Sequence, residues 1–74
     1  MIIYKNLNGD SGVNAYEISG DRIAVRFNDG GLYMYTYRSA GSHNIEAMKT
    51  LASQGAGLNT FINRNVRKLY AQKY

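Results

Sequence analysis

The sequence predicts an α+β domain in which a three-stranded antiparallel sheet, or a four-stranded one, is followed by two helices. Residues 22–27 and 32–37 have the period-2 pattern of strands and flank the turn-forming segment 28–31, as in a β-hairpin. After Arg38 the apolar residues recur with a helical period instead. A chain of 74 residues is near the lower limit for one hydrophobic core, so we expect a single domain over residues 1–74.

The strand signals lie in the N-terminal half of the chain. Residues 2–7 have the apolar content of a short strand, which would make the sheet four-stranded, and the turn-forming residues 8–12 follow. Residues 13–18 are rich in β-branched and aromatic side chains and predict the next strand. A turn at 19–21 then leads into the hairpin, so that residues 13–37 are expected to form an antiparallel meander.

The first predicted helix is amphipathic. Ser42 or Asn44 is available as its N-cap. The segment Gly55-Ala56-Gly57 is expected to end it, because glycine readily adopts the left-handed conformation of a C-cap. The residues on its apolar side are Ile45, Met48, Leu51 and Ala52.

A second helix is predicted to begin near Asn59, a good N-cap residue, and to run towards the C-terminus. With about 3.6 residues per turn, Arg64, Arg67 and Lys68 point away from its buried side. Amides at the start of this helix, with Arg64 a turn later, suggest a place for one phosphate, although a helix-helix turn also explains the glycines. The expected buried residues are Ile62, Val66, Leu69 and Tyr70.

The loop length of the predicted hairpin decides which face of the sheet carries Tyr33, Tyr35 and Tyr37. A two-residue turn at Asp29-Gly30 would place Tyr33 opposite Arg26. The tyrosines would then lie beside Arg22 and Arg26 on an exposed face, where aromatic rings and arginines together form a platform for stacking bases.

A three-residue loop is the alternative. If residues 28–30 form the loop and Gly30 is left-handed, Tyr33 lies opposite Val25. The tyrosines then join the core face, where their rings fill a small core and their hydroxyls lie at its edge. The sequence is compatible with both turns.

Charge is unevenly distributed along the chain. The formal net charge is +4, from nine Lys and Arg residues against five Asp and Glu residues. All five acids lie at or before Glu46, so residues 47–74 carry five basic side chains and no acidic one. Such a surface favours nucleic acid, an acidic protein or a phosphorylated molecule as partner, with a solvated helix face as the structural alternative.

Several classes of function are disfavoured by the composition. The absence of cysteine removes disulfides, thiolate metal sites and a cysteine nucleophile, and it fits a reducing compartment. Residues 1–5 do not resemble a signal peptide, and no stretch approaches the roughly 20 apolar residues that span a bilayer, so we expect a cytoplasmic protein without membrane contact. His43 has no neighbouring acid to orient it, and no cluster has metal-ligand spacing. We therefore expect no enzyme activity, metal or cofactor.

The chain resembles the KTSC domain, a family named from a segment of some lysyl-tRNA synthetases and also found as small bacterial and phage proteins. The family pattern is L-x-V-x-F, a glycine turn, Y-x-Y, and a helix leading into S-K-G-x-x-F-N-x-x-I-R. This chain has Gln54, Leu58 and Asn63 in place of the usual Lys, Phe and Arg, and it lacks the Val-Pro that follows Y-x-Y. The resemblance covers residues 11–70 and suggests RNA binding, through the association of the family with a tRNA synthetase. The matching residues are Ile23, Val25, Phe27, Gly30, Tyr33, Tyr35, Ser53, Gly55, Asn59 and Ile62.

Two functions follow from these patterns. The first is a small non-enzymatic module that binds RNA or another polyanion through the basic C-terminal helix and the tyrosine strand. The alternative is a protein-interaction or inhibitor module of phage type, which would pair an edge strand with a partner or a second copy, or capture a nucleotide-like ligand. The expected binding residues are Tyr33, Tyr35, Tyr37, Arg22, Arg26, Asn59, Arg64, Arg67 and Lys68.

Overall fold

A five-stranded antiparallel sheet, with its strands in chain order, is covered on one face by helices. The computed structural model describes residues 1–9 and 11–74. The predicted α+β class is confirmed, with more strands than the three or four expected. The elements are β1 (Ile2–Ile3), β2 (Val13–Ser19), β3 (Arg22–Phe27), β4 (Leu32–Thr36), α1 (Tyr37–Ala40), α2 (Ser42–Gln54), α3 (Leu58–Phe61), a π-helical segment (Ile62–Val66) and β5 (Gln72–Lys73).

The central meander of β2, β3 and β4 confirms the strands predicted there. Each outer strand has only two residues, which is too short for a period-2 pattern to predict. In the predicted strand over residues 2–7, only Ile2–Ile3 forms β1, and both side chains are exposed. Strand β5 was not predicted, because two polar residues have no detectable periodicity, yet it pairs with β4 through Tyr33↔Lys73 and Met34↔Gln72.

The β3–β4 hairpin has the three-residue loop. The Gly30 amide donates to the Phe27 carbonyl at 2.9 Å and the Phe27 amide donates to the Gly31 carbonyl at 2.8 Å, while Gly30 has a φ of 94°. This geometry pairs Val25 with Tyr33. Because a shift of one residue reverses every side chain, this register places Tyr33 on the core face.

Helix α2 buries the side predicted for it, with Ile45, Met48 and Ala52 in the core. Its N-cap is Gly41, however, and neither Ser42 nor Asn44. The reason is that the short helix α1, capped by Thr36, comes directly before it. Asn44 instead donates its side-chain amide to the Ala40 carbonyl at 2.8 Å, at the end of α1. The predicted C-cap is confirmed, since Gly55 is left-handed.

The C-terminal helix differs from the prediction at both of its ends. Its N-cap is Gly57, so Asn59 lies inside α3. Ile62 and Val66 are buried as expected, but Leu69 and Tyr70 are 43% and 37% exposed. These two residues leave the core because the chain turns back towards the sheet, where the Ala71 amide donates to the Met34 carbonyl at 2.7 Å.

One buried side chain ties the first residues to this helix. Tyr4 is buried, and its hydroxyl accepts a hydrogen bond from the Leu58 amide at 3.3 Å. This contact satisfies one of the free amides at the start of α3. Over residues 1–9 and 11–74, no helix has both the length and the apolar character needed to cross a membrane.

Candidate functional site

A cleft of about 620 Å³ opens between the β3–β4 hairpin and the C-terminal helix. Its floor is the part of the core-facing sheet surface that the helices leave uncovered. We call it the aromatic cleft, because Phe27, Tyr33, Tyr35 and Tyr70 line it. Its volume lies within the range of roughly 300–1,000 Å³ that is usual for small-molecule sites.

The aromatic rings of the cleft pack edge to face. Tyr33 lies at the centre of this cluster, with its ring centroid 5.5 Å from that of Phe27 and 5.1 Å from that of Tyr70. Tyr35 is fully buried below them, and its centroid is 6.5 Å from that of Tyr70. Edge-to-face packing is the favourable arrangement for such rings. Tyr70 is therefore held in place while the residue remains more than one-third exposed.

Burial raises the pKa of the Tyr35 hydroxyl to about 12, with smaller contributions from the neighbouring Tyr33 and Tyr70. In the unfolded chain this hydroxyl titrates near 10. The unfolded state therefore loses the proton first, and the stability contributed by neutral Tyr35 is present below about pH 10 and lost as the pH rises towards 12.

We expect the wild-type protein to lose more unfolding free energy than Tyr35→Phe between these two pH values, by about 2 kcal/mol at most, at about 1.4 kcal/mol per pKa unit. Urea denaturation across the alkaline range, followed by circular dichroism, measures the difference. Parallel loss of stability in the two proteins would show that Tyr35 does not resist ionisation.

The helical side of the cleft carries amides and cations. Asn59, Asn63 and Arg67 follow one another at intervals of four residues, and Lys68 adjoins them at the cleft. The π-helical segment Ile62–Val66 has i→i+5 hydrogen bonds, which make a wider turn than an α-helix has. Both Arg67 and Lys68 are exposed at the rim, as predicted. Their charges lie beside the aromatic floor and not on a remote helix face.

The hairpin side of the cleft is formed by the β3–β4 loop. Asp29 accepts a hydrogen bond from the Gly31 amide through Oδ1 at 2.8 Å. Asn28 donates its side-chain amide to the Ser11 carbonyl at 3.1 Å. These bonds hold both side chains at the mouth of the cleft. From β5, the Lys73 ammonium lies 5.5 Å from the centroid of the Tyr33 ring, within cation–π distance.

Only some of the residues predicted to bind a ligand lie together in the structure. Those that it brings together at the aromatic cleft are Tyr33, Tyr35, Asn59, Arg67 and Lys68. Arg22 and Arg26 lie on the opposite face of the sheet, because the three-residue loop pairs Arg26 with Leu32. Arg22 also pairs with Asp21 at 2.9 Å. Arg64 is exposed outside the lining of the cleft.

Tyr37 is not part of the tyrosine strand, because β4 ends at Thr36 and Tyr37 begins α1. Its hydroxyl donates to Glu46, and this hydrogen bond raises the pKa of Tyr37. Lys49 pairs with Glu46 at 2.8 Å and also donates to the Gly20 carbonyl at 2.7 Å. Tyr37 thus belongs to a polar network that ties α1 and α2 to the β2–β3 turn.

Several cleft residues were not recognised in the sequence. The sequence predicts Asn28 and Asp29 only as turn-forming residues. They do form the turn, and they also line the cleft. Tyr70 reads as a core residue of a regular helix. Only the return of the chain to β4 exposes its ring. The many aromatic and amide side chains around residues 27–33 and 59–70 were the available sign of a binding site. No local pattern, however, predicts that these two segments lie next to each other.

The aromatic cleft combines apolar rings with groups that donate and accept hydrogen bonds. Rings form its floor, amides and two cations lie on one side, and a carboxylate lies on the other. Among the described residues, no three His, Cys, Asp or Glu side chains are grouped as metal ligands. No protein-family model matches this chain, and comparisons with curated proteins and with solved structures find no match either.

Proposed function

We propose that this protein is a small non-enzymatic module that binds single-stranded RNA. An unpaired nucleotide enters the aromatic cleft, and Arg67 and Lys68 contact the phosphates beside it. The observation that carries the proposal is the convergence of three accessible aromatic rings, those of Phe27, Tyr33 and Tyr70, with two cations around one cleft. The resemblance to the KTSC domain agrees with this function.

The two kinds of side chain have different roles in the proposed complex. An aromatic ring stacks on any base, and each stacked base contributes about 1–3 kcal/mol. The cations act on the backbone, because binding to phosphates releases condensed counterions and makes affinity fall with salt. Together they favour a flexible single strand, whose bases are free to leave the stack, over a duplex.

The position of Arg64 provides a matched control for the role of Arg67. Both are exposed arginines in the same basic segment, but only Arg67 lines the cleft. We expect Arg67→Glu to weaken binding at least about tenfold and to lower the slope of log affinity against log salt by about one or more. Arg64→Glu changes the overall charge equally and should have a much smaller effect.

Fluorescence anisotropy of labelled single-stranded RNA and DNA, titrated across a salt series, measures these quantities. An affinity that is insensitive to salt, or equal losses in the two variants, would count against phosphate binding at the cleft. If no RNA or DNA binds even at low salt, the proposed function is wrong and the basic segment is a solvated helix face.

A further inference from the structure

The aromatic cleft carries hydrogen-bonding groups of opposite kinds on its two sides. From this arrangement we infer that it selects guanine among the bases of an unpaired RNA segment. The inference rests on the proposed function and adds to it a base specificity and a residue, Asp29, that determines this specificity.

The hairpin side presents acceptors. Asp29 is exposed at the cleft, and among the residues that the structure describes it is the one acid that lines this space. Its Oδ1 accepts the Gly31 amide, while no hydrogen bond to Oδ2 is found within the described chain. Asn28 uses its side-chain N–H₂ group for the Ser11 carbonyl. The acceptor oxygen of Asn28 and a carboxylate oxygen therefore remain for a ligand.

The helical side presents donors. Arg67 and Lys68 carry only donor groups, and Asn59 and Asn63 carry amides that donate as well as accept. The negative charge of Asp29 and the positive charges of Arg67 and Lys68 also orient a bound nucleotide. Its phosphate is attracted to the helical side and repelled from the hairpin side.

Guanine is the base whose edges match these two sides. Its N1–H and N2–H₂ groups are adjacent donors, which suit the carboxylate of Asp29. Its O6 and N7 atoms are acceptors, for which arginine is the usual partner. Adenine would instead direct its N1 acceptor at the carboxylate. Uracil and cytosine have a single ring and cover less of the aromatic floor.

The experiment compares short oligouridine strands that carry one central guanosine, adenosine, cytidine or inosine, by competition in the anisotropy assay. We expect guanosine to bind about tenfold more tightly than adenosine, as a bidentate base contact provides. Inosine lacks the N2 amino group and should fall between them. This series uses the wild-type protein, so it does not depend on any variant folding.

Asp29→Asn tests the residue itself. The asparagine oxygen still accepts the Gly31 amide, so the loop is preserved, but an N–H₂ group that donates replaces the second carboxylate oxygen. We expect the preference for guanosine over adenosine to fall to about twofold or less, with salt-dependent binding retained. Asp21→Asn is the matched control, since Asp21 is an exposed acid in another turn that pairs with Arg22 away from the cleft, and it should keep the full preference.

The outcomes separate this inference from the proposed function. Salt-dependent binding with equal affinity for guanosine and adenosine would overturn the guanine specificity and leave RNA binding intact. A preference that persists in Asp29→Asn would overturn the role of Asp29. Failure of every strand to bind would overturn the proposed function itself.

Discussion

Leu58→Ala is expected to lower the free energy of unfolding by about 2–5 kcal/mol. Leu58 is fully buried where α3 begins, and it belongs to the same core cluster as Tyr35 and Val66. Truncation removes its transfer free energy and leaves a cavity. A chain of 74 residues has a total stability of only about 4–11 kcal/mol, so this one change removes a large share.

Leu69→Ala is the matched control for this substitution. Leu69 undergoes the same chemical change eleven residues later, but this residue is 43% exposed. We expect a loss below about 1 kcal/mol. Urea denaturation of both variants gives the comparison, provided that the slope with denaturant stays at its wild-type value. Similar losses would mean that Leu69 is packed in the core, as a regular helix over this segment predicts.

Tyr70→Ala is expected to weaken the binding of single-stranded RNA by about 5–150-fold, which corresponds to the 1–3 kcal/mol of one stacked base. Tyr70 is more than one-third exposed and lines the cleft, so we expect its ring to offer a surface for stacking. Its contacts with Tyr33 and Tyr35 contribute modestly to stability. The variant should therefore fold, which a thermal melt verifies before the anisotropy titration.

Two further variants define what Tyr70 contributes. Tyr70→Phe keeps the ring and should bind RNA nearly as well as the wild type. Tyr74→Ala removes another exposed tyrosine, whose hydroxyl donates to Gln72 at 2.8 Å and which lies outside the cleft lining. It should leave the affinity unchanged. Equal losses for Tyr70→Ala and Tyr74→Ala would indicate a general effect of aromatic residues near the C-terminus and would argue against stacking in the cleft.

Local patterns were sufficient for the meander and for α2, because each has a clear period. The alternation around Ile23 and Val25 and the helical spacing of Ile45, Met48 and Ala52 both correspond to buried faces. Local patterns could not decide between the two candidate turns of the hairpin, because both turns are favourable by themselves. The free-energy difference between them depends on the packing of Tyr35 against core residues from the helices, which are distant in the sequence.

The C-terminal segment was also predicted incorrectly from its local pattern. A continued α-helix with Leu69 and Tyr70 buried is reasonable on periodicity alone. The structure instead has a π-helical segment and then two ladder pairs with β4, and neither leaves a repeating signal in so few residues. The candidate site was predictable as a set of residue types, namely tyrosines and cations. The geometry of the site was not, because it joins β4 to residues more than twenty positions away.

The three-residue β3–β4 loop has a consequence for how this sequence can change by mutation. Deleting a single codon within residues 28–30 would leave two residues to connect Phe27 with Gly31, which is a common hairpin length. The pairing of Val25 with Tyr33, and with it the core position of the tyrosines, would be retained. Deleting Leu32 inside β4 would instead shift the register by one residue and transfer Tyr33 and Tyr35 to the opposite face of the sheet, so that the core would lose its largest ring. Changes of length should therefore be tolerated more readily in this loop than in the strand that follows it.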